Sequence, residues 1–542
     1  MAASEHPWWQ SAVVYQIYPR SFRDSNGDGV GDLAGIIERA DYLAWLGVDA
    51  VWISPFYPSP MADFGYDIAD YCGVDPIFGT LADFDRLIAA LHAKNIRVIL
   101  DFVPNHSSNR HPWFEESRRS RDNPKRDWYI WRDPRPDGGP PTNWLSLATG
   151  RNAWEFDPTT GQYYYHAFLV EQPDLNWRNP AVRAAMHDAL RFWLDRGVDG
   201  FRVDVLWHLA KDPEFRDNPV NPDYREGSDP PWRKLQQVYN ADAPGIIDMV
   251  RDMRRLLDGY PGDRPLIGEI YLPRARLMEY YGPSLDAAQM PFNFSLLWES
   301  WNREKWNAAA IMRLVQEYEA ALPKGAWPNW VIGNHDQPRV ATRLGPAQAR
   351  VAMVMLLTLR GTPTLYYADE LGHPSVPIPP GRERDPFGIN MPGGTQGRDP
   401  VRTPMPWDGT AHAGFSTVEP WLPLPADAAT LSVARQKEDA RSMLSLTRAL
   451  IALRRREPAL ALGEWAPFAV DGEAVAYTRS WEDETFLVVL DLQSRAKTVR
   501  AATGGIAGQI ALSTHPGRIG RRVAGALDLQ ADEAVVIALA GR

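Results

Sequence analysis

Gly200-Phe-Arg-Val-Asp204 is a short apolar run that stops abruptly at a carboxylate. Such a run reads as a buried parallel strand whose C-terminal tip opens onto a site. Two further runs end in the same way, Leu266-Ile-Gly-Glu269 and Val331-Ile-Gly-Asn-His-Asp336. Tips so widely spaced along the chain converge only if the segments between them return outside the sheet as helices. The expected fold class is therefore α/β, a (β/α)8 TIM barrel, in which catalysis sits at the C-terminal strand tips.

Taken alone, an Asp after a strand is more often a helix N-cap than a catalytic group. The neighbours of these acids argue otherwise. Arg202 lies two residues before Asp204, on the same face of an extended strand, so a fixed cation is expected to hold that carboxylate ionised. Asn105 and His106 follow Asp101 at another apolar tip, and His335 precedes Asp336. Acids and neutral imidazoles at several tips suit a polar ligand rich in hydroxyls.

Outward from these runs, strand-like and helix-like segments alternate. Strands are predicted at 13–18, 50–53, 97–102, 200–204, 266–269, 290–294, 330–334 and 361–366. Between the first two, apolar residues at 33, 36, 37, 40 and 43 mark one helical face over 33–46, closed by Gly47. Thr80 offers an N-cap for a helix over 81–94, and Asn179-Pro180 opens another over 180–194. The pattern breaks over 106–172, rich in Pro, Gly, Arg, Asp, Trp and Tyr, which predicts a small domain leaning over the barrel mouth. A second Pro- and Gly-rich insertion spans about 371–440, and a helix over 443–454 completes the barrel. Beyond about 460 the texture changes to short alternating stretches at 474–480, 485–492 and 535–539, which predict an antiparallel β-sandwich. The expected division is a barrel over 1–105 and 173–459, an insertion over 106–172 and a β domain over 460–542.

A chain of 542 residues exceeds one typical core, in keeping with two or three domains. Its formal net charge of −10, with acids and bases interspersed, gives no basic footprint, so nucleic acid is not expected as a partner. Cys72 is the only cysteine, which excludes an intrachain disulfide and thiolate metal sites. The N-terminal sequence has no basic stretch followed by an apolar core, and no segment reaches the length of a membrane span. A cytoplasmic location and no membrane association are therefore expected, with the oligomeric state left open.

Asp24-Ser-Asn26-Gly-Asp28-Gly-Val30-Gly-Asp32 sets oxygen donors at every second position with Gly at the sixth. That alternation matches the first nine residues of an EF-hand loop, where position seven contributes its backbone carbonyl. The closing Glu is missing, its place taken by Gly35. The pattern predicts an isolated structural Ca²⁺ site, with Mg²⁺ as the alternative ion, formed by Asp24, Asn26, Asp28, Val30 and Asp32. The competing reading is a turn that caps the first helix.

The stretches Asp101-Phe-Val-Pro-Asn-His106, Gln172-Pro-Asp-Leu-Asn176, Gly200-Phe-Arg-Val-Asp204, Gly268-Glu269, Asn334-His-Asp336 and Arg402-Thr-Pro-Met-Pro-Trp-Asp408 span most of the chain. Together they resemble glycoside hydrolase family 13, the α-amylase family, and within it the bacterial exo-acting α-glucosidases and oligo-1,6-glucosidases. The resemblance implies a barrel with a domain B after the third strand and an all-β domain C. It implies Asp204 as nucleophile, Glu269 as general acid/base with a raised pKa, and Asp336 as transition-state stabiliser in a retaining mechanism acting on small α-glucosides. Tyr66, His106, Phe168 and His335 match residues that line the pocket of the first glucose. Asp63 and Arg402 match the pair that closes the far end of an exo-acting pocket, and are expected to touch each other there. Val205 resembles a residue favouring α-1,6 links, whereas Trp207 departs from the oligo-1,6-glucosidase pattern, so linkage stays open. Two alternatives accompany this reading: a glucoside isomerase or transglucosidase of the trehalose or isomaltulose synthase type, and a non-catalytic relative acting as a binding subunit.

Overall fold

A computed structural model describes residues 6–390 and 397–540. Eight parallel strands close into a barrel in the order β1, β11, β10, β9, β8, β7, β3, β2. They are β1 (Val14–Ile17), β2 (Ala50–Ile53), β3 (Arg97–Phe102), β7 (Gly200–Val203), β8 (Leu266–Gly268), β9 (Met290–Asn293), β10 (Asn329–Val331) and β11 (Thr362–Tyr366). All eight lie where the apolar runs predicted them. Their burial on both faces explains why they read as continuous apolar runs and not as alternating ones. Val14, Ala50, Trp52, Ile99, Ile267, Met290, Phe292 and Val331 point inward and fill the barrel as one apolar cluster.

The helices follow local chemistry. Thr80 and Asp83 form a reciprocal capping box on Leu81–His92. Asn179 caps Pro180–Leu194, whose bounds are those predicted. The helix expected over 33–46 is instead two, Leu33–Glu38 and Ala40–Leu46. Arg39 leaves helical geometry between them and lays its guanidinium over the Trp407 ring, 4.4 Å from its centroid.

Between β3 and β7, three antiparallel strands, β4 (Trp131–Arg132), β5 (Trp154–Asp157) and β6 (Gln162–Tyr165), form a small sheet with β6 in the middle. It carries its own aromatic core, including Trp144, Trp154 and Tyr165. The seam to the barrel is polar and buried. Lys211 gives one N–H to Asn105 Oδ1 (2.7 Å) and pairs with Asp174 Oδ2 (2.5 Å), while Asn105 Nδ2 donates to the same Asp174 oxygen (2.9 Å). Asp174 also accepts from Ala167 N–H (2.7 Å), so one ammonium knits the inserted segment to the barrel.

The C-terminal antiparallel domain contains β12 (Glu464–Pro467), β13 (Val475–Trp481), β14 (Glu484–Leu490), β15 (Lys497–Arg500), β16 (Ile506–Ser513), β17 (Arg522–Leu529) and β18 (Ala534–Leu539). They hydrogen-bond as one sheet in the order β12, β13, β14, β18, β16, β17, β15. The C-terminal domain is thus one antiparallel sheet, curled so that the chain just past its two edge strands comes together. Asp471 N–H reaches Arg500 O (2.9 Å) and Ala502 N–H reaches Ala469 O (3.0 Å), just past the ends of the edge strands β12 and β15. One face encloses a separate core that includes Leu487, Val499, Leu527 and Ile537, and the other packs Tyr477, Val488 and Val536 into the barrel's outer core.

Candidate active site

Register brings the acids together. Asp101 on β3 lies beside Arg202 on β7, and Val203 lies beside Gly268 on β8, so Asp204 and Glu269 emerge side by side at adjacent tips. Arg202 is their common partner. Its Nη1 donates to Asp101 Oδ1 (2.8 Å) and Asp204 Oδ1 (2.7 Å), and its Nη2 pairs with Glu269 Oε2 (2.8 Å). The guanidinium stands 4.9 Å from the Trp52 ring inside the barrel, and Trp52 Nε1 donates to Asp101 Oδ2 (3.2 Å).

One cation facing three buried carboxylates cannot neutralise them all. Burial raises the pKa of Asp204 well above the usual carboxylate range, and the negative Glu269 and Asp101 add to this against the pull of Arg202. Burial likewise lifts Asp101 to about 6, opposed by Arg202. The charge of Arg202 is thus divided among three carboxylates, and its pull on Asp204 is opposed by burial and by the two neighbouring acids.

Asp336 behaves oppositely. Burial alone would raise its pKa, but it ends well below the ordinary value. His335, the first of the groups that lower it, is itself driven by burial to about 3 and is uncharged at neutral pH. The guanidinium groups of Arg398, Arg402 and Arg202 therefore do the holding, with Arg402 Nη2 2.9 Å and Arg398 Nη1 3.4 Å from Asp336 Oδ1. Gln16 Nε2 donates to His335 Nδ1 (2.8 Å), which leaves the ring proton on Nε2. That proton goes to the Tyr66 hydroxyl oxygen (2.7 Å), whose own O–H goes to Asp101 Oδ2 (3.0 Å).

A cavity of about 540 Å³ opens above these groups. Asp63, Tyr66, His106, Phe168, Asp204, Glu269, His335 and Asp336 all line it, whereas Arg202 and Arg402 stand behind it and act through the acids they hold. His106 donates from Nε2 to Tyr66 O (3.1 Å) and accepts from Asn105 on Nδ1 (3.1 Å). Burial lowers its pKa to about 4, so it too is neutral.

The expected Asp63–Arg402 contact is not formed. Arg398 takes that place, its Nη2 2.5 Å from Asp63 Oδ1 and 2.7 Å from Asp385 Oδ1, while the fully buried Arg402 turns to Asp336, the His335 carbonyl (2.9 Å) and Tyr18 (3.4 Å). Sequence reasoning also passed over Gln172, which donates to Asp63 Oδ2 (3.2 Å), and the aromatic mouth. There Trp207 meets Tyr271 edge-on, and Tyr271 stacks on Trp298 with ring centroids 4.8 Å apart. Gln172 lay inside a quoted motif, and Trp207 stood three residues from Asp204; Trp298 had no signal beyond being aromatic.

The "Alpha amylase, catalytic domain" family profile matches residues 16–463. The chain belongs to the α-amylase family. Among curated relatives, a probable alpha-glucosidase of Rhizobium meliloti (strain 1021) is 40% identical, with 91% of each chain covered. The oligo-1,6-glucosidase of Parageobacillus thermoglucosidasius is 37% identical, with 92% of each covered. Among solved structures, the alpha-glucosyl transfer enzyme XgtA superposes with a TM-score of 0.92 at 43% identity, covering 99% of this chain and 100% of that one. This α-amylase family member is accordingly a glycoside hydrolase, and among the described residues no helix is long and apolar enough to cross a membrane.

The loop 24–32 of this family member is not part of the cavity. Asp24 accepts from the N–H groups of Asn26, Gly27 and Gly29 and from Ser416 Oγ, and Asp32 accepts from Ser25 and from Gly35 N–H as the cap of Leu33–Glu38. Asp28 Oδ1 takes Val30 N–H (2.8 Å), and Asn26 Oδ1 takes Asp28 N–H (2.9 Å). Among the described residues no three or more His, Cys, Asp or Glu side chains are grouped as a metal would need. The donor types suit a hard cation, but the Asp24 and Asp32 oxygens are already committed to hydrogen bonds.

Proposed function

We propose that the protein is a retaining, exo-acting α-glucosidase that releases α-glucose from the non-reducing end of short α-glucosides and also transfers glucosyl units. The observation that carries this reading is the pairing of Asp204 and Glu269 on the two terminal nitrogens of one guanidinium, beneath a cavity that the Asp63–Arg398 ion pair also lines. Two carboxylates held that closely suit direct attack by one of them, for which a separation of about 5–5.5 Å is usual.

In the mechanism so derived, ionised Asp204 attacks the anomeric carbon while Glu269 protonates the departing oxygen, giving a covalent glucosyl-enzyme. Substrate entry between the acids leaves Arg202 to hold Asp204 as the anion. Val205 N–H (2.9 Å) and Arg202 hold Glu269 Oε2, which leaves Oε1 to carry the proton. Asp336, fixed as an anion by its guanidinium partners, stabilises the oxocarbenium-like charge. Glu269 then removes a proton from water or an acceptor hydroxyl. The deciding experiment is NMR of the first product: prompt α-glucose is expected, and prompt β-glucose would reject the double displacement. Asp204→Asn should abolish turnover while substrate still binds.

A second reading, a transglucosidase or glucoside isomerase, is favoured by the apolar mouth, where Trp207, Tyr271, Leu272 and Trp298 can hold an acceptor and limit water. The name of the structurally similar XgtA supports it as well. Product analysis on maltose and sucrose separates hydrolysis from transfer.

We further propose that the loop 24–32 takes one Ca²⁺ or Mg²⁺, exchanging the serine hydroxyls on Asp24 and Asp32 for the ion. The donor chemistry alone supports this. Added Ca²⁺ should raise the melting temperature and EDTA lower it, with the chemical step little changed; melting curves that ignore both would remove the site. A cytoplasmic setting belongs to the same proposal, is consistent with the lone Cys72, and is tested by cell fractionation.

A further inference from the structure

A second cavity, of about 840 Å³, lies between the barrel's outer helices and the C-terminal domain. Four guanidinium groups line it. Arg350 comes from the helix Pro346–Thr358, Arg441 from the turn before the helix Met443–Arg456, and Arg518 and Arg521 from the connection between β16 and β17. His515 joins them, and Asp528 is the one carboxylate among the lining residues. Among the described residues only Arg518 of the four has a carboxylate partner, the buried Glu533. Arg350 gives a single N–H to Thr514 O (3.1 Å) and feels the pull of Asp439, whose Oδ1 accepts the Arg441 backbone N–H (2.8 Å), while among the described residues Arg441 and Arg521, both exposed, take part in no salt bridge. Asp528 accepts from the Thr498 hydroxyl (2.8 Å) and pairs with none of the arginines.

This gathering of basic side chains runs against the chain's overall balance, in which acids outnumber bases to give a formal net charge of −10. Unpaired guanidinium groups converging on one space repel one another, and that repulsion is relieved when a multivalent anion enters. Guanidinium forks match phosphate oxygens two at a time. The space is of the size that takes a small organic ligand, roughly 300–1,000 Å³. We propose that this cavity is a binding site for a phosphate-bearing small molecule, gripped by Arg350, Arg441 and Arg521 and bridging the barrel and the C-terminal domain. It stands apart from the carboxylate cluster and does not depend on the reaction assigned to it.

The test is calorimetric titration of the full-length protein with inorganic pyrophosphate, a hexose phosphate and a nucleoside triphosphate, each at about 50 mM and about 300 mM NaCl. Binding tighter than about 1 mM for at least one, weakened by salt, is expected. Binding of pyrophosphate as tightly as the others would assign the site to the phosphate groups alone; tighter binding of an organic phosphate would add contacts to its sugar or base. The double substitution Arg441→Ala with Arg521→Ala changes two exposed side chains outside the fold's packing. It should weaken binding roughly tenfold or more while leaving cleavage of a neutral glucoside unchanged. No binding of any of the three, or binding that the double variant leaves intact, overturns the proposal.

Discussion

At the scale of single residues, the pocket turns on which arginine meets which acid. Arg398 is held between Asp63 and Asp385 at the cavity wall, so Arg398→Ala leaves two buried carboxylates without their direct salt-bridge partner. Loss of such a partner costs about 2–5 kcal/mol, and kcat/KM on a disaccharide should fall roughly 100-fold or more. Steady-state kinetics check this, and a near-native value would remove Arg398 from the pocket wall. The three acids were legible because each ends an apolar run in a fixed register, which leaves the tip little freedom. The partner of Asp63 was not. Arg398 and Arg402 are four residues apart in an irregular insertion, and only the path of that insertion in space decides which one faces the cavity.

Glu370 makes a second residue-scale prediction. It is fully buried just after β11, where its Oε1 accepts from the hydroxyls of Tyr15 (2.7 Å) and Tyr42 (2.6 Å), and burial raises its pKa from near 4.5 to about 7. The folded protein therefore binds more protons here than the unfolded chain between those values, and this group's contribution lowers stability as pH rises through that window. Glu370→Gln keeps an acceptor oxygen for both tyrosines and should flatten the fall. Urea denaturation at several pH values between about 4.5 and 7 reads it out, and an unchanged slope would count against the protonated form.

At the scale of elements, the capping box on Leu81–His92 offers a clean measurement. Thr80→Ala removes the side-chain bond to Asp83 N–H, and should cost about 1 kcal/mol in denaturant unfolding without changing activity. The barrel strands could be read because burial on both faces forces unbroken apolar runs. Three of the seven C-terminal strands could be read for a similar reason. The remainder, such as Lys497–Arg500 and Arg522–Leu529, bury only part of one face and carry charges on the other, so they resemble loops. The excursion over 209–245 also escaped sequence reasoning, although it brings Trp232 and Gln237 to the cavity, because no periodic pattern runs through it.

At the scale of the whole molecule, a cavity lined both by the Asp63–Arg398 ion pair and by Trp207, Tyr271 and Trp298 fits the exo-acting reading, which predicts how substrates are ranked. Short oligosaccharides should lose one glucose at a time, whereas starch should be cut slowly and without early release of maltose. Chromatography of the first products checks both statements, and early maltose would mean that the pocket is open at its far end. The seam at Lys211 bears on how the two sides stay aligned. An ammonium carried on the chain cannot be diluted away, competed off or stripped by a chelator, because its local concentration is set by a covalent tether and not by mass action. Alignment of the inserted segment over the barrel is thereby made independent of the ionic composition of the surroundings. The same tether brings a different vulnerability: chemistry that removes the charge from that one amine would unfasten the insertion, and with it the hold of Asn105 on His106.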